Sequence, residues 1–168
     1  MKKLFILFTL FLLASQAKSQ TCGTCSVNIT GFDTLAYTVN AGQTFCVDTT
    51  GNFQGKLTLN GGSVCNKGLF SPTQMTLTAG TLNNYGNCSF PIAATLNSGL
   101  TVTNNSGSIL NINGNLGMSG GSFNNSGITN ISSSLTNTSG TLTNAGILNC
   151  TTLSGSNTVT NTGVINSN

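Results

Sequence analysis

The sequence has no histidine, no tryptophan, no glutamate and no arginine. Its charged side chains are five lysines and two aspartates, 4% of 168 residues, where an ordinary globular domain carries about 25%. General acid–base chemistry needs positioned titratable groups. A nucleophilic serine or threonine needs an activating base, and glycoside hydrolysis needs paired carboxylates. Asp33 and Asp48 are the only carboxylate side chains, and both lie near the N-terminal side. The expectation is therefore a chain that is not an enzyme and uses no cofactor or metal. Nucleic-acid binding needs clustered Lys or Arg, and beyond Lys2 and Lys3 there is no such cluster, so none is expected. What fills the chain instead is 24 Asn, 19 Ser, 27 Thr and 21 Gly, more than half of all residues.

The net charge of +3 belongs to the first residues. Lys2 and Lys3 precede an apolar run, Leu4–Ala14, broken only by Thr9, and Ala17-Lys18-Ser19 supplies small residues at the cleavage positions. This is the pattern of a secretory signal peptide, residues 1–19. Eleven helical residues reach about 16 Å, roughly half of a bilayer core, so the run is too short for an anchor. Cleavage removes Lys2, Lys3 and Lys18 and leaves Lys56 and Lys67 against Asp33 and Asp48. The mature side chains then balance to zero. No other stretch is long and apolar enough to span a membrane, and a secreted or cell-surface location is expected.

The remaining composition is periodic. An N-x-G element recurs at Asn66, Asn84, Asn105, Asn125, Asn144 and Asn161, at spacings of 18, 21, 20, 19 and 17 residues. Three apolar columns recur with it. One holds Val64, Leu82, Val102, Phe123, Leu142 and Val159. A second holds Leu59, Leu77, Leu96, Leu116, Leu135 and Leu153. A third holds Leu69, Cys88, Ile109, Ile128, Ile147 and Val164. Polar neighbours such as Thr58, Asn60, Thr141 and Thr143 flank the apolar residues, so alternation places one set inward and the other outward on short strands. Three strands per unit of about 19 residues, with like residues in register, predict an all-β parallel β-helix of triangular section. Neither a disordered linker nor a β-sandwich would repeat side-chain identity in this way.

The Asn column predicts a ladder in which each amide bonds to the next coil, with Asn at a left-handed corner and the following Gly at positive φ. A second ladder is expected at Asn111, Asn130, Asn149 and Asn166. Ala41–Cys46 aligns with Asn60–Cys65 at a spacing of 19. The domain reading is a signal peptide at 1–19, an N-terminal cap at 20–40 and repeats over 41–168. The last coil, ending at Asn168, shows no cap. A longer parent protein is the plainer expectation, and stacking on another molecule the alternative.

All six cysteines lie beyond the signal, as an oxidising compartment allows. Cys46 and Cys65 are one coil apart, which stacking brings within disulfide range, so they are the expected pair. Cys22-Gly23-Thr24-Cys25 has the spacing of a zinc half-site, but no further ligands accompany it. A structural link in the cap, with Cys88 as a candidate partner, is favoured. Cys150 shares a column with Ile112 and Ile131 and reads as a small buried hydrophobe.

Tyr37–Gly42, Phe45–Val47 and Leu57–Gly68, followed by the N-x-G coils, resemble the repeat-rich secreted adhesin-like proteins of Bacteroidetes-type bacteria. The resemblance implies a right-handed β-helix, export, and surface attachment through a C-terminal sorting domain. The 168 residues include no such domain, and no catalytic residues are implied. The functional expectation is a structural or adhesive module whose neutral Thr/Asn/Ser surface contacts glycans, host or matrix surfaces. One alternative is ice binding through outward threonines: Thr76/Thr78, Thr101/Thr103, Thr141/Thr143 and Thr158/Thr160. The other is a fibre that self-associates through its C-terminal coil.

Overall fold

A computed structural model describes residues 22–167. The signal-peptide reading of residues 1–19 lies outside the described residues. The chain is an all-β solenoid of about seven turns. In chain order its strands are β1 (Val27–Ile29), β2 (Phe32–Asp33), β3 (Ala36–Asn40), β4 (Thr44–Val47), β5 (Asn52–Phe53), β6 (Lys56–Asn66) and β7 (Leu69–Phe70). There follow β8 (Gln74–Asn84), β9 (Asn87–Phe90), β10 (Ala94–Asn97), β11 (Leu100–Asn104), β12 (Ile109–Ile112), β13 (Leu116–Ser119) and β14 (Ser122–Asn125). The last are β15 (Ile128–Ile131), β16 (Ser134–Asn137), β17 (Thr141–Asn144), β18 (Ile147–Cys150), β19 (Thr152–Ser154), β20 (Val159–Asn161) and β21 (Val164–Ser167).

Parallel pairing between successive coils gives three faces. The first runs β1-β4-β6-β8-β11-β14-β17-β20, and the second β2-β5-β7-β9-β12-β15-β18-β21. The third is divided. β3 pairs with the first half of β6, which pairs with the first half of β8. Beyond it β10-β13-β16-β19 form a separate sheet, and no ladder joins β8 to β10 there. The strands are short because each coil turns three corners, and long enough because each contributes one or two side chains inward. Residues 27–40, expected as a cap, are instead the first coil, since β1, β2 and β3 pair in register with β4, β5 and β6. Its apolar residues, Val27, Ile29, Tyr37 and Val39, fill the same inward positions as later coils, which is why it stacks. Among the described residues, only the short segment Cys22–Ser26 remains outside the stack.

The core is a set of inward columns. Phe45, Val64, Leu82, Val102, Phe123 and Leu142 stack on the first face, all essentially buried. Phe45, Phe53, Phe70 and Tyr37 make an aromatic plug in the early coils, with ring centroids 5.0 to 6.5 Å apart. Two expected columns are corrected. Leu69, Ile128, Ile147 and Val164 point outward, 38–51% exposed. The inward residues of that face are their neighbours Phe70, Cys88, Leu110, Thr129 and Leu148. Leu, Ile and Val occur on both sides of these strands, so alternation by itself does not reveal which set is inside. On the third face, Leu59 stacks on Leu77, whereas Leu116, Leu135 and Leu153 share a column with Ala94, not with Leu96. Each third-face strand has two inward positions two residues apart, and a Leu at either one mimics a continuous column.

Candidate functional site

The side chains that the periodicity singles out divide between the interior and three outward faces. The inner Asn column continues two aliphatic residues: Ile29 pairs with Val47, and Val47 with Asn66. From there Asn66, Asn84, Asn104, Asn125 and Asn144 are buried. Each Nδ2 donates to the Oδ1 of the next, at 2.8, 2.8, 2.9 and 2.7 Å, and Asn144 donates to Asn161 at 2.8 Å. The second Nδ2 hydrogen goes to a backbone carbonyl of the following coil: Asn87, Ile109, Ile128, Ile147 and Val164 in turn, at 2.9 to 3.0 Å. An amide with two donors and an acceptor is thus satisfied without water, as a buried polar group must be. The column ties strands of one face to the next turn of another, a structural rather than a ligand-binding role.

Three expectations about this column are corrected. The ladder member of the fifth coil is Asn104, not Asn105. That coil carries extra residues between the ladder and Ile109, and Gly107, at φ +80°, takes up the slack. The Asn105 amide instead donates to the backbone carbonyl of Asn84 at 3.0 Å. No described non-Gly residue has positive φ, so the asparagines are not left-handed corners. The glycines after the ladder, apart from Gly107, also have ordinary φ. They are glycine because of crowding: a Cβ on Gly68, Gly86, Gly127, Gly146 or Gly163 would collide with a carbonyl of the previous coil.

The cysteines also differ from expectation. Cys46 and Cys65 do stack in register, yet they are not bonded to each other. Both point outward on the first face, where in-register neighbours run side by side instead of toward each other. Each is capped from the N-terminal segment: Cys25 bonds to Cys46 and Cys22 to Cys65. The segment is also tied by a 2.7 Å backbone hydrogen bond from Ser26 N to the Thr44 carbonyl. Cys88, a candidate partner for the cap, is a free thiol in the core, and burial pushes its pKa far up. Cys150 is free and buried as well, its pKa raised by burial against a lesser, opposing hydrogen bond with the Leu135 backbone. At the first coil the Tyr37 hydroxyl donates to Asp33 Oδ2 at 3.0 Å. Its pKa is raised, first by desolvation and then by this carboxylate.

Past the disulfides the first face carries two ranks of small uncharged side chains. One is Ser63, Thr81, Thr101, Ser122 and Thr141; the other is Asn83, Thr103, Asn124, Thr143 and Thr160. Thr81 Oγ1 donates to Ser63 Oγ at 2.9 Å. The second face pairs the outward Ile109–Ile128–Ile147–Val164 rank with the outer Asn ladder. There Asn130 donates to Asn111, Asn149 to Asn130 and Asn166 to Asn149, at 2.9, 2.8 and 2.7 Å.

The eight threonines expected as one surface are not brought together, and this expectation is corrected. Thr101/Thr103, Thr141/Thr143 and Thr160 lie on the first face, and Thr158 immediately precedes β20. Thr76 and Thr78 do not: both belong to the first half of β8, on the third face. Thr76 pairs there with Thr58. Thr78 is exposed and falls at the register shift, where Leu59 pairs with Leu77 and Asn60 skips to Ala79, so Thr78 has no in-register neighbour on β6. The first-face residues of β8 are Thr81 and Asn83 instead. A T-x-T spacing marks an outward pair on any face and does not say which. Asn83, Ser122 and Asn124 break the first-face ranks.

No helix among the described residues is long and apolar enough to cross a membrane. Two disulfides accord with an oxidising compartment. No protein-family model, curated protein or solved structure matches the chain.

Proposed function

We propose that the protein is a secreted, non-enzymatic adhesive module that contacts glycan or matrix surfaces through its first face. The observation that supports this reading is the pair of hydroxyl and amide ranks on the first face, held in register at strand spacing on a backbone stiffened by the inner Asn ladder. Such a surface has no charge to attract ions or nucleic acid. Each rank residue offers a weak hydrogen-bonding contact, and repetition sums them by effective concentration. Rigidity helps, because the side chains lose little further freedom on contact.

The experiment is binding of the disulfide-bonded protein to immobilised neutral glycans and extracellular-matrix components. It is compared with a Thr101→Lys, Thr141→Lys variant, which places bulky cations in one rank and leaves the core untouched. The expected result is retention by the native protein and loss in the variant. Equal behaviour of the two, or no retention on any surface, would overturn the reading.

A further inference from the structure

The third face has one place where the stack is open. Leu57 stacks on Met75, and Ala94 stacks on Leu116, Leu135 and Leu153, while Met75 and Ala94 face the same gap without a ladder between them. A methyl group there leaves unfilled the space that a Leu or Met occupies in other coils. Immediately before it, Pro91-Ile92-Ala93 turns the corner from β9 to β10 as a bend. Met75 and Leu77 are accordingly only partly buried, and Ile92 is 59% exposed. No backbone ladder crosses from the first half of β8 to β10. The facing N–H and C=O groups that every other coil pairs are open on both edges.

The result is a cleft of about 240 Å³ lined by Met75, Thr76, Leu77, Ile92, Thr95 and Asn97 among others. It holds no charged side chain. Met75, Leu77 and Ile92 form an apolar wall. Thr76, Thr95 and Asn97 line the same space with polar side chains. Asn97 Oδ1 is held by Ser119 Oγ at 2.8 Å, which leaves its Nδ2 as the outward donor. Voids of this kind cost stability when they serve only packing, and a leucine at 94 would close this one.

We infer that this cleft is a binding site for a single neutral pyranose ring, the terminal or branch sugar of a glycan. A sugar ring offers an apolar C–H face for the Met75–Ile92 wall and equatorial hydroxyls for the threonines, the amide and the open backbone edges. The absence of charge in the lining disfavours phosphate and uronic acid groups, whose desolvation would go unanswered. The volume falls below the roughly 300–1,000 Å³ of drug-sized sites, so it takes one ring and not a chain. An inserted peptide strand would need two strand spacings, about 9.6 Å, but β8 and β10 still pack as neighbours. The cleft lies on another face from the Thr/Ser/Asn ranks, and its occupancy does not depend on their role.

The test is saturation-transfer NMR of the disulfide-bonded protein with methyl glycosides of neutral hexoses and N-acetylhexosamines at millimolar concentration. The native protein is expected to transfer saturation to the ring protons of at least one glycoside. Ala94→Leu should abolish the effect and hold or raise the unfolding midpoint. If Ala94→Leu does not fold, Thr76→Val with Thr95→Val decides. About five- to tenfold weaker binding, the equivalent of one lost hydrogen bond, supports the cleft. Unchanged binding in the folded variant, or no transfer to any glycoside, overturns it. Retention on a glycan surface that Ala94→Leu keeps but Thr101→Lys, Thr141→Lys loses reads the first face alone, and the glycoside result decides the cleft.

Discussion

Replacing Asn125 with alanine tests the internal ladder directly. Asn125 Oδ1 accepts from Asn104 Nδ2 at 2.9 Å and from Thr129 Oγ1 at 2.9 Å. Its Nδ2 donates to Asn144 Oδ1 at 2.7 Å and to the Ile147 carbonyl at 2.9 Å. Truncation leaves Asn144 Oδ1 without its donor and the Thr129 hydroxyl without its acceptor, and the Asn104 amide loses one of its partners. Both orphaned groups are buried, and water does not reach them. At about 1–3 kcal/mol for each unmet buried group, with a small cavity added, the loss is about 3–5 kcal/mol. That is a large part of a typical net stability of about 5–15 kcal/mol. The control is Asn130→Ala in the outer ladder. Asn130 bonds to Asn111 and Asn149 but is half-exposed, so water replaces the lost partners and the cost stays within about 1 kcal/mol. Urea unfolding followed by circular dichroism reads both. Equal midpoints for the two variants, or a loss under about 1 kcal/mol for Asn125→Ala, would refute the claim that the inner amides hold the coils together.

Four further outcomes are expected. Non-reducing peptide mapping should recover Cys25–Cys46 and Cys22–Cys65 cross-links; a Cys46–Cys65 peptide would contradict the fold of the N-terminal segment. Removing either bridge should cost about 3–4 kcal/mol from the loop it closes, read as a shift in unfolding midpoint, with less than additive loss when both go. Gly146→Ala should destabilise more than Gly107→Ala. The first drives a methyl into the Gly127 carbonyl, while Gly107 meets only its positive φ in open space, a penalty of about 1–2 kcal/mol. Cys88 should resist thiol reagents in the folded protein and react once it is unfolded. Its folded pKa is raised by burial, so its contribution is fully present below the unfolded thiol value of about 8.5 and is lost as pH climbs above it. A native protein that titrates Cys88 at pH 8 would contradict its burial.

Several features are legible in the sequence because they repeat. The recurrence of Asn66, Asn84, Asn125, Asn144 and Asn161 with Val64, Leu82, Phe123 and Leu142 two residues ahead marks strand, register and coil length together. A solenoid places residue i next to residue i plus one coil, so periodicity is itself a contact map. The outer ladder of Asn111, Asn130, Asn149 and Asn166 was readable for the same reason. Where the period wavers, reading fails. The doublet Asn104-Asn105 offers two candidates for one rung, and only the length of the following turn selects the first. Thr76 and Thr78 share their spacing with the first-face threonines, and only the long strand β8, which spans two faces, separates them. The cleft at Ala94 left a trace too: a small residue in a column of Leu, three positions after a proline.

The sequence alone determined the stacked parallel coils, their length and the two Asn ladders, because each follows from identity repeated at a fixed interval. Tertiary structure decided the sidedness and the closures. Ile128 and Ile147 face out while Thr129 and Leu148 face in, since alternation defines two sides of a strand without naming the interior one. Cys46 and Cys65 are in register but bond elsewhere, because a disulfide depends on where the side chains point. The gap between β8 and β10 lies where the bend at Pro91-Ile92 leads into Ala94, a juxtaposition visible only once neighbouring coils are laid against each other.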